Sequence, residues 1–284
     1  MRQPEVDVLI NVMYPAANAA YLIMNVPAPP LSLPDGFQLV GPILADPAAA
    51  AHAMSQAHPY QQRIANATVA ESSILGLVAY NAAAKCAVVA LRGTKTIWEW
   101  IDDLEAAPVP YMPDPSAGFV HMGFYLVYAH ICRSIEGLLR QGGVTIDRLY
   151  VTGHSLGAAL AILCGFDIGQ RMHIGPAPEL YTFAGPRTGD PKFASSANAS
   201  VKVCERVVNF MDVVPQVPFP PLYEHAGYET LVHGGFRPLD VTYAHHLTTY
   251  LAGLKQLPEA SVKLAAAPVL AASAGASAAA SQEP

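Results

Sequence analysis

Gly153-His154-Ser155-Leu156-Gly157 stands between an apolar run that ends at Thr152 and a stretch rich in Ala and Leu. A GxSxG pattern between a strand and a helix defines a nucleophile elbow, a sharp turn that lifts a serine hydroxyl above the end of its strand. The turn forces the serine into a strained backbone region, and a side chain two positions to either side would strike neighbouring backbone. Ala158 and Ala159 extend the small-residue requirement to where the helix packs on the strand. The pattern by itself occurs by chance in unrelated chains, so its strand-turn-helix setting carries the weight.

Strands and helices alternate on both sides of this elbow. Residues 147–152 are expected as a strand and 156–172 as a helix, with further strands over 180–183 and 206–210. Apolar residues recur at helical spacing over 124–141, where Gly142-Gly143 stops the run. The runs 74–80 and 86–91 are joined by Asn81-Ala82-Ala83-Ala84-Lys85 and are expected to form a β-hairpin. This alternation predicts an α/β fold, a mostly parallel sheet covered by helices on both faces. A last helix is expected over 244–254.

Residues 8–35 carry no charge before Asp35, yet Asn11, Pro15, Asn18 and Asn25 interrupt the stretch, and Glu5 and Asp7 precede it. It is expected as a buried helix over 11–24, with no recognisable signal peptide and no transmembrane segment. A proline-rich linker follows at 27–34, then Ala-rich helical sequence through Ala65, with strands only after it. The 284 residues suit one large domain, expected over 1–258. Residues 259–284 are Ala- and Ser-rich and are expected as a flexible tail.

A serine hydroxyl is a weak nucleophile, so a base must take its proton and a carboxylate must orient that base. In elbow-bearing folds the chain order is serine, acid, histidine. Asp167, Asp190, Asp212, Glu224 and Asp240 follow Ser155. Asp212 is the best placed, because it falls just after an apolar strand, where open α/β sheets present functional groups. Asp190 reads as a turn residue, and Asp240 could cap a helix. After Asp212 come His225, His233, His245 and His246, and the residues alone leave the last two evenly matched as base. Ile97, Trp100, Ile101 and Leu104 share one helical face, with Glu99, Asp102 and Asp103 on the other.

Over residues 70–254 the chain resembles the class 3, fungal-type triacylglycerol lipases of the α/β-hydrolase superfamily. Five segments carry the likeness in order: Ala90-Leu91-Arg92-Gly93-Thr94, His121-Met122-Gly123-Phe124, the elbow, Thr182-Phe183-Ala184-Gly185-Pro186-Arg187-Thr188-Gly189-Asp190, and Val207-Val208-Asn209-Phe210-Met211-Asp212-Val213-Val214-Pro215. The resemblance implies an α/β-hydrolase fold and a serine carboxylester hydrolase on lipid esters, with Ser155, Asp212 and a histidine as triad. Leu247 and Tyr250, two and five places on, favour His245 as that histidine. The same likeness implies Thr94 and Leu156 as oxyanion donors and Ile97, Trp98, Trp100, Ile101 and Leu104 as a substrate-facing lid. Trp98 and Tyr111 would line an acyl pocket. The competing expectations are a lipase with a mobile lid at a lipid–water interface, a soluble short-chain or feruloyl-type esterase, and a non-catalytic lipid-binding scaffold.

With 13% charged residues, a net charge of −6 and no basic stripe, nucleic acid is not expected as a partner. No ligand spacing joins His52, His58, His121, His130, His173 or His225 to Cys or Glu, so no metal or other cofactor is expected. Cys86, Cys132, Cys164 and Cys204 lie far apart and read as free thiols, with a Cys164–Cys204 bridge left open. Without a leader, the expected location is the cytoplasm or an exported state reached by a non-standard route. Oligomeric state stays open.

Overall fold

A computed structural model describes residues 5–24, 30–94, 108–235, 237, 240 and 242–257. The expected lid residues Ile97, Trp98, Trp100, Ile101 and Leu104 and the tail 259–284 lie outside them.

Seven strands form one sheet in the order β1-β2-β3-β6-β7-β8-β9. They are β1 (Gln38–Leu44), β2 (Ile74–Asn81), β3 (Cys86–Leu91), β6 (Arg148–His154), β7 (Glu179–Phe183), β8 (Val203–Asn209) and β9 (Tyr228–Val232). The short pair β4 (Val109–Pro110) and β5 (Phe119–Val120) stands apart. β1, β2 and β3 are antiparallel neighbours, and every pairing from β3 to β9 is parallel. The α/β fold expected from the alternation of elements, a mostly parallel sheet, is therefore present.

Alternate strand residues feed two cores, as the two-residue side-chain period requires. Ala87, Val89, Leu91, Leu149 and Val151 face one core, packed under helices α2 (Pro47–Gln56), α3 (Pro59–Glu71), α4 (Met122–Arg140), α5 (Leu156–Asp167) and α6 (Pro191–Ser200). Cys86, Val88, Ala90, Tyr150 and Phe183 face the other, under α1 (Tyr14–Leu22) and α7 (Leu247–Leu254). Each fully buried Leu, Val or Phe contributes about 1.5–3 kcal/mol relative to exposure.

Register decides where loops meet. Leu91 pairs with Gly153, His154 with Phe183, Phe183 with Val207, and Asn209 with Val232. The chain therefore leaves β3, β6 and β8 along one edge of the sheet. The oxyanion loop, the elbow and the Asp212 loop all begin there.

Several local expectations need correction. The N-terminal helical segment starts at Val6 rather than Asn11, through Val6–Val8 and the π-helix Leu9–Met13. Asp7, read as lying ahead of the helix, accepts a hydrogen bond from Asn11 Nδ2 one turn on, at 2.7 Å. β1 falls where helix was expected. Its Gly41 and Pro42 argue against a central strand, but β1 is at the sheet edge, where proline is tolerated. The other edge strand, β9, is short, half exposed and equally hard to see. Asp190 is more than a turn residue: its Oδ1 accepts from the Phe193 N–H at 2.7 Å and caps α6. All four cysteines are free thiols.

Candidate active site

Steric constraint shapes the elbow. Ser155 sits at φ 61°, ψ −129°, a conformation that costs a non-glycine residue of order 1–3 kcal/mol. A Cβ on Gly153 would overlap the Gly157 carbonyl oxygen, and one on Gly157 would overlap the carbonyl oxygen of Leu91 at the end of β3. The Ser155 N–H donates to the Phe183 carbonyl at 3.0 Å, which ties the turn to β7.

Asp212 lies on the loop after β8. One carboxylate oxygen accepts from the Val214 N–H at 3.0 Å. The other accepts from the Tyr250 hydroxyl at 2.6 Å and lies 2.8 Å from His245 Nδ1. A carboxylate can only accept, so Nδ1 carries the proton, and Nε2 of the neutral ring accepts from the Ser155 hydroxyl at 2.9 Å. Burial alone would raise the Asp212 carboxyl. The hydrogen bond and charge of His245 and the Tyr250 hydroxyl outweigh it and hold the carboxyl below its ordinary value. The Tyr250 hydroxyl itself is pushed well above its usual value by burial and then by the Asp212 charge, so it stays a neutral donor.

His245 closes the 3₁₀ turn Tyr243–His245 and is buried, whereas His246 is exposed with its ring against Tyr243. Of the doubled histidines it is His245 that meets Asp212 and Ser155. Asn209, at the end of β8, fastens this turn: its Nδ2 donates to the Ala244 carbonyl at 2.8 Å, and its Oδ1 accepts from the Gly234 N–H at 3.1 Å.

A second chain of hydrogen bonds starts on α1. The Gly93 N–H donates to the Tyr21 hydroxyl at 3.0 Å, and that hydroxyl lies 2.8 Å from His154 Nδ1. His154 Nε2 lies 2.8 Å from the His245 carbonyl, which can only accept, so Nε2 bears the proton and Nδ1 accepts from Tyr21. Burial, and then the neighbouring His245, push His154 down to about 3, so it is neutral in service. The elbow, the oxyanion loop and the His245 turn are joined through one tyrosine and one histidine. Neither was singled out from the sequence.

Thr94 lines the same cavity as Ser155. Its hydroxyl donates to Glu71 Oε2 at 2.8 Å, so the side chain points to α3. Leu156 opens α5, where first-turn N–H groups lack intrahelical acceptors and the helix dipole favours negative charge. Arg92, fully buried, fastens the oxyanion loop by donating to the carbonyls of Ile74 at 2.8 Å, Ser72 at 3.2 Å and Gly93 at 2.7 Å.

The other candidates fall elsewhere. The Tyr111 hydroxyl donates to Asp167 at 2.8 Å inside the core, so neither residue belongs to the cavity, and the expected pocket role of Tyr111 is replaced by a structural one. Asp240 accepts from the Tyr243 N–H at 3.2 Å and caps the 3₁₀ turn. Glu224 is exposed, its backbone bridged to Gly189. Among the described residues no three His, Cys, Asp or Glu side chains gather as a metal site, and no helix is long and apolar enough to cross a membrane.

A serine on an elbow, a histidine and a carboxylate, met in that chain order on a mostly parallel sheet, define the α/β-hydrolase class. The crystal structure of Lip2 lipase from Yarrowia lipolytica shares the fold, with a TM-score of 0.58 at 20% identity over 81% of this chain and 80% of that chain. Residues 88–221, which hold the elbow and Asp212, match the family described as Lipase (class 3). A lipase from Rhizomucor miehei is 35% identical over 158 residues, covering 54% of this chain and 43% of that protein. The chloroplastic phospholipase A1-Igamma3 of Arabidopsis thaliana is 31% identical over 220 residues, covering 58% and 41%. The chain spans less than half the length of the curated relatives it matches.

Proposed function

We propose that this protein is a serine carboxylester hydrolase that cleaves lipid esters in the manner of a triacylglycerol lipase. The observation that carries the proposal is the unbroken hydrogen-bonded chain from Ser155 through His245 to Asp212. Ser155 attacks the ester carbonyl while His245 Nε2 takes its proton, and Asp212 stabilises the resulting imidazolium. The oxyanion is met by the N–H groups of Thr94 and Leu156. His245 then hands its proton to the departing alcohol, leaving an acyl-enzyme that water cleaves by the same steps reversed.

Lipid as substrate class is supported by the match to class 3 lipases and by the surface beside the acid. Phe210, Met211 and Val213 flank Asp212 with their side chains exposed, and Phe219 and Leu222 follow further along the chain; Phe210 is 61% exposed and Phe219 59%. Exposed apolar side chains of this size suit a lipid surface better than water.

The test compares p-nitrophenyl butyrate and palmitate, below and above the concentration at which substrate aggregates, for the intact protein and Ser155→Ala. Preference for the long chain with a rise at aggregation, lost in Ser155→Ala, is the expected result. Cleavage of the short ester alone makes the protein a soluble esterase. Equal rates for the intact protein and Ser155→Ala overturn the proposal.

A further inference from the structure

Soon after Asp212 the chain runs Val214-Pro215-Gln216-Val217-Pro218. Proline has no N–H to donate, and beyond the 3₁₀ turn Val214–Gln216 the segment joins no strand. Its carbonyls are nevertheless bonded, by residues from elsewhere in the chain. His225 Nε2 lies 2.8 Å from the Pro215 carbonyl, which can only accept, so Nε2 bears the proton and donates it. Arg187 Nη1 donates to the carbonyls of Gln216 and Pro218, the second at 2.9 Å. The Arg187 backbone N–H donates to the Val217 carbonyl at 2.9 Å. The four consecutive carbonyls of residues 215–218 are thus held by two residues, one on the loop after β7 and one shortly before β9.

These bonds act on the side of the segment away from the reacting atoms. Arg187 and His225 line a cavity of about 480 Å³ that shares no described residue with the cavity at Ser155. What they hold is the segment that carries the acid. The Asp212 N–H donates to the Asn209 carbonyl at 2.9 Å, at the end of β8, and its carboxylate accepts from the Val214 N–H at 3.0 Å, one residue before the first held carbonyl. Strand register therefore delivers Asp212 from upstream, and Arg187 and His225 secure the chain downstream. A carboxylate on a loop keeps its place only as well as the loop does, and a shift of about 1 Å can cost on the order of a hundredfold in rate. Arg206 lines the same cavity but pairs with Glu229 on β9 at 2.8 Å and bonds none of these carbonyls.

We infer that Arg187 and His225 are positioning residues, a clamp on the segment after Asp212 that keeps its carboxylate on His245. The inference rests on the hydrolase reading given above and extends it to two residues that bond neither Ser155, His245 nor the Asp212 side chain. A guanidinium suits the task because one nitrogen bearing two hydrogens reaches two carbonyls. Burial, and then the Arg206 charge, push His225 down to about 3, so its ring donates without adding a charge beside two arginines.

The experiment measures kcat and KM on soluble p-nitrophenyl butyrate across pH, with the full chain and with variants shown by thermal melts to be folded. Arg187→Ala and His225→Leu are each expected to lower kcat by about tenfold or more, with KM changed by less than about twofold. The acid limb of the kcat profile is expected to move to higher pH, because a loosened segment weakens the His245 and Val214 hydrogen bonds that hold the Asp212 carboxyl below its ordinary value. His225→Gln, which keeps a donor at the Nε2 position, and Arg206→Met are each expected to stay within about threefold of the intact protein. A loss confined to KM, an acid limb that stays in place, or a loss in His225→Gln or Arg206→Met as large as that in His225→Leu overturns the inference. Hydrogen exchange at the amides of Val213, Val214, Gln216 and Val217 separates the two readings. Faster exchange there in Arg187→Ala, without turnover by the intact protein, sinks the hydrolase proposal and keeps the clamp. Turnover by the intact protein, with exchange and kcat unchanged in Arg187→Ala, sinks the clamp and keeps the hydrolase.

Discussion

The back and front walls of the cavity are built on different principles. The back wall, β6 with α5 and the loop after β8, is set by backbone: two glycines without room for a Cβ, a strained serine, and strand register. The front wall, α1 and the turn before α7, is held by side chains reaching across the fold, Tyr21 to Gly93 and His154, Asn209 to Ala244, and Tyr250 to Asp212. Backbone constraint leaves little freedom, and so it suits the reacting atoms. Side-chain tethers can be changed one at a time, so each can be tested by a single substitution.

The largest effect that would break this contrast is at the triad. Ser155→Ala or His245→Ala is expected to lower kcat by at least about 10⁴-fold, while His246→Ala changes it by less than about threefold. Steady-state rates on a p-nitrophenyl ester decide this, and similar losses at the two histidines would remove His245 from its assigned role. Tyr21→Phe comes next: the Gly93 N–H loses its acceptor and His154 its donor, with an expected fall in kcat of about 10–100-fold and little change in KM. A change confined to KM would make Tyr21 a binding residue rather than one that positions the oxyanion loop.

Tyr250→Phe is expected to cost about tenfold, because a charge-assisted hydrogen bond to Asp212 is lost. Removing that donor raises the Asp212 carboxyl, so the acid limb of the kcat profile moves to higher pH. A limb that stays in place would show that Tyr250 supports the wall without tuning the acid. Stability should also depend on pH through two buried histidines away from the front wall. His154 and His225 are both pushed down to about 3 by burial, so the unfolded chain binds more protons below its ordinary histidine pKa of about 6.5. Their contribution is intact above about 6.5 and is lost as pH falls towards about 3. Urea midpoints that stay flat from pH 7 to pH 4.5 would contradict the buried, neutral state of these rings.

Away from both walls, Asp190→Ala removes the cap of α6 and is expected to cost about 1 kcal/mol, a fall in Tm of about 2–4 °C, with the rate on ester unchanged. A large loss of activity there would mean that α6 supports the site more directly than its position suggests.

The elbow was legible because glycine at 153 and 157 is a local steric demand written in residue types, and Asp212 because it follows an apolar strand. The hairpin 74–91 and the helix at 122–140 were legible from periodicity for the same local reason. β1 was hidden by its glycine and proline, which mark an edge only once the sheet is assembled. The choice between His245 and His246 turned on a resemblance, since adjacent residues share nearly every sequence signal and only orientation separates them. Tyr21, Asn209, Glu71 and the role of His154 carried no signal, because each acts through a partner far along the chain.

By itself the sequence determined the fold class and the elbow serine, which follow from periodicity and local sterics, while the oxyanion role of Thr94 was implied only by a family resemblance. Only the tertiary structure decided which histidine is bonded to Asp212 and that the Thr94 hydroxyl turns to Glu71. Those facts depend on directions of hydrogen bonds between residues brought together by the fold, from α1 to the turn before α7, and no pattern within a short stretch of chain encodes them.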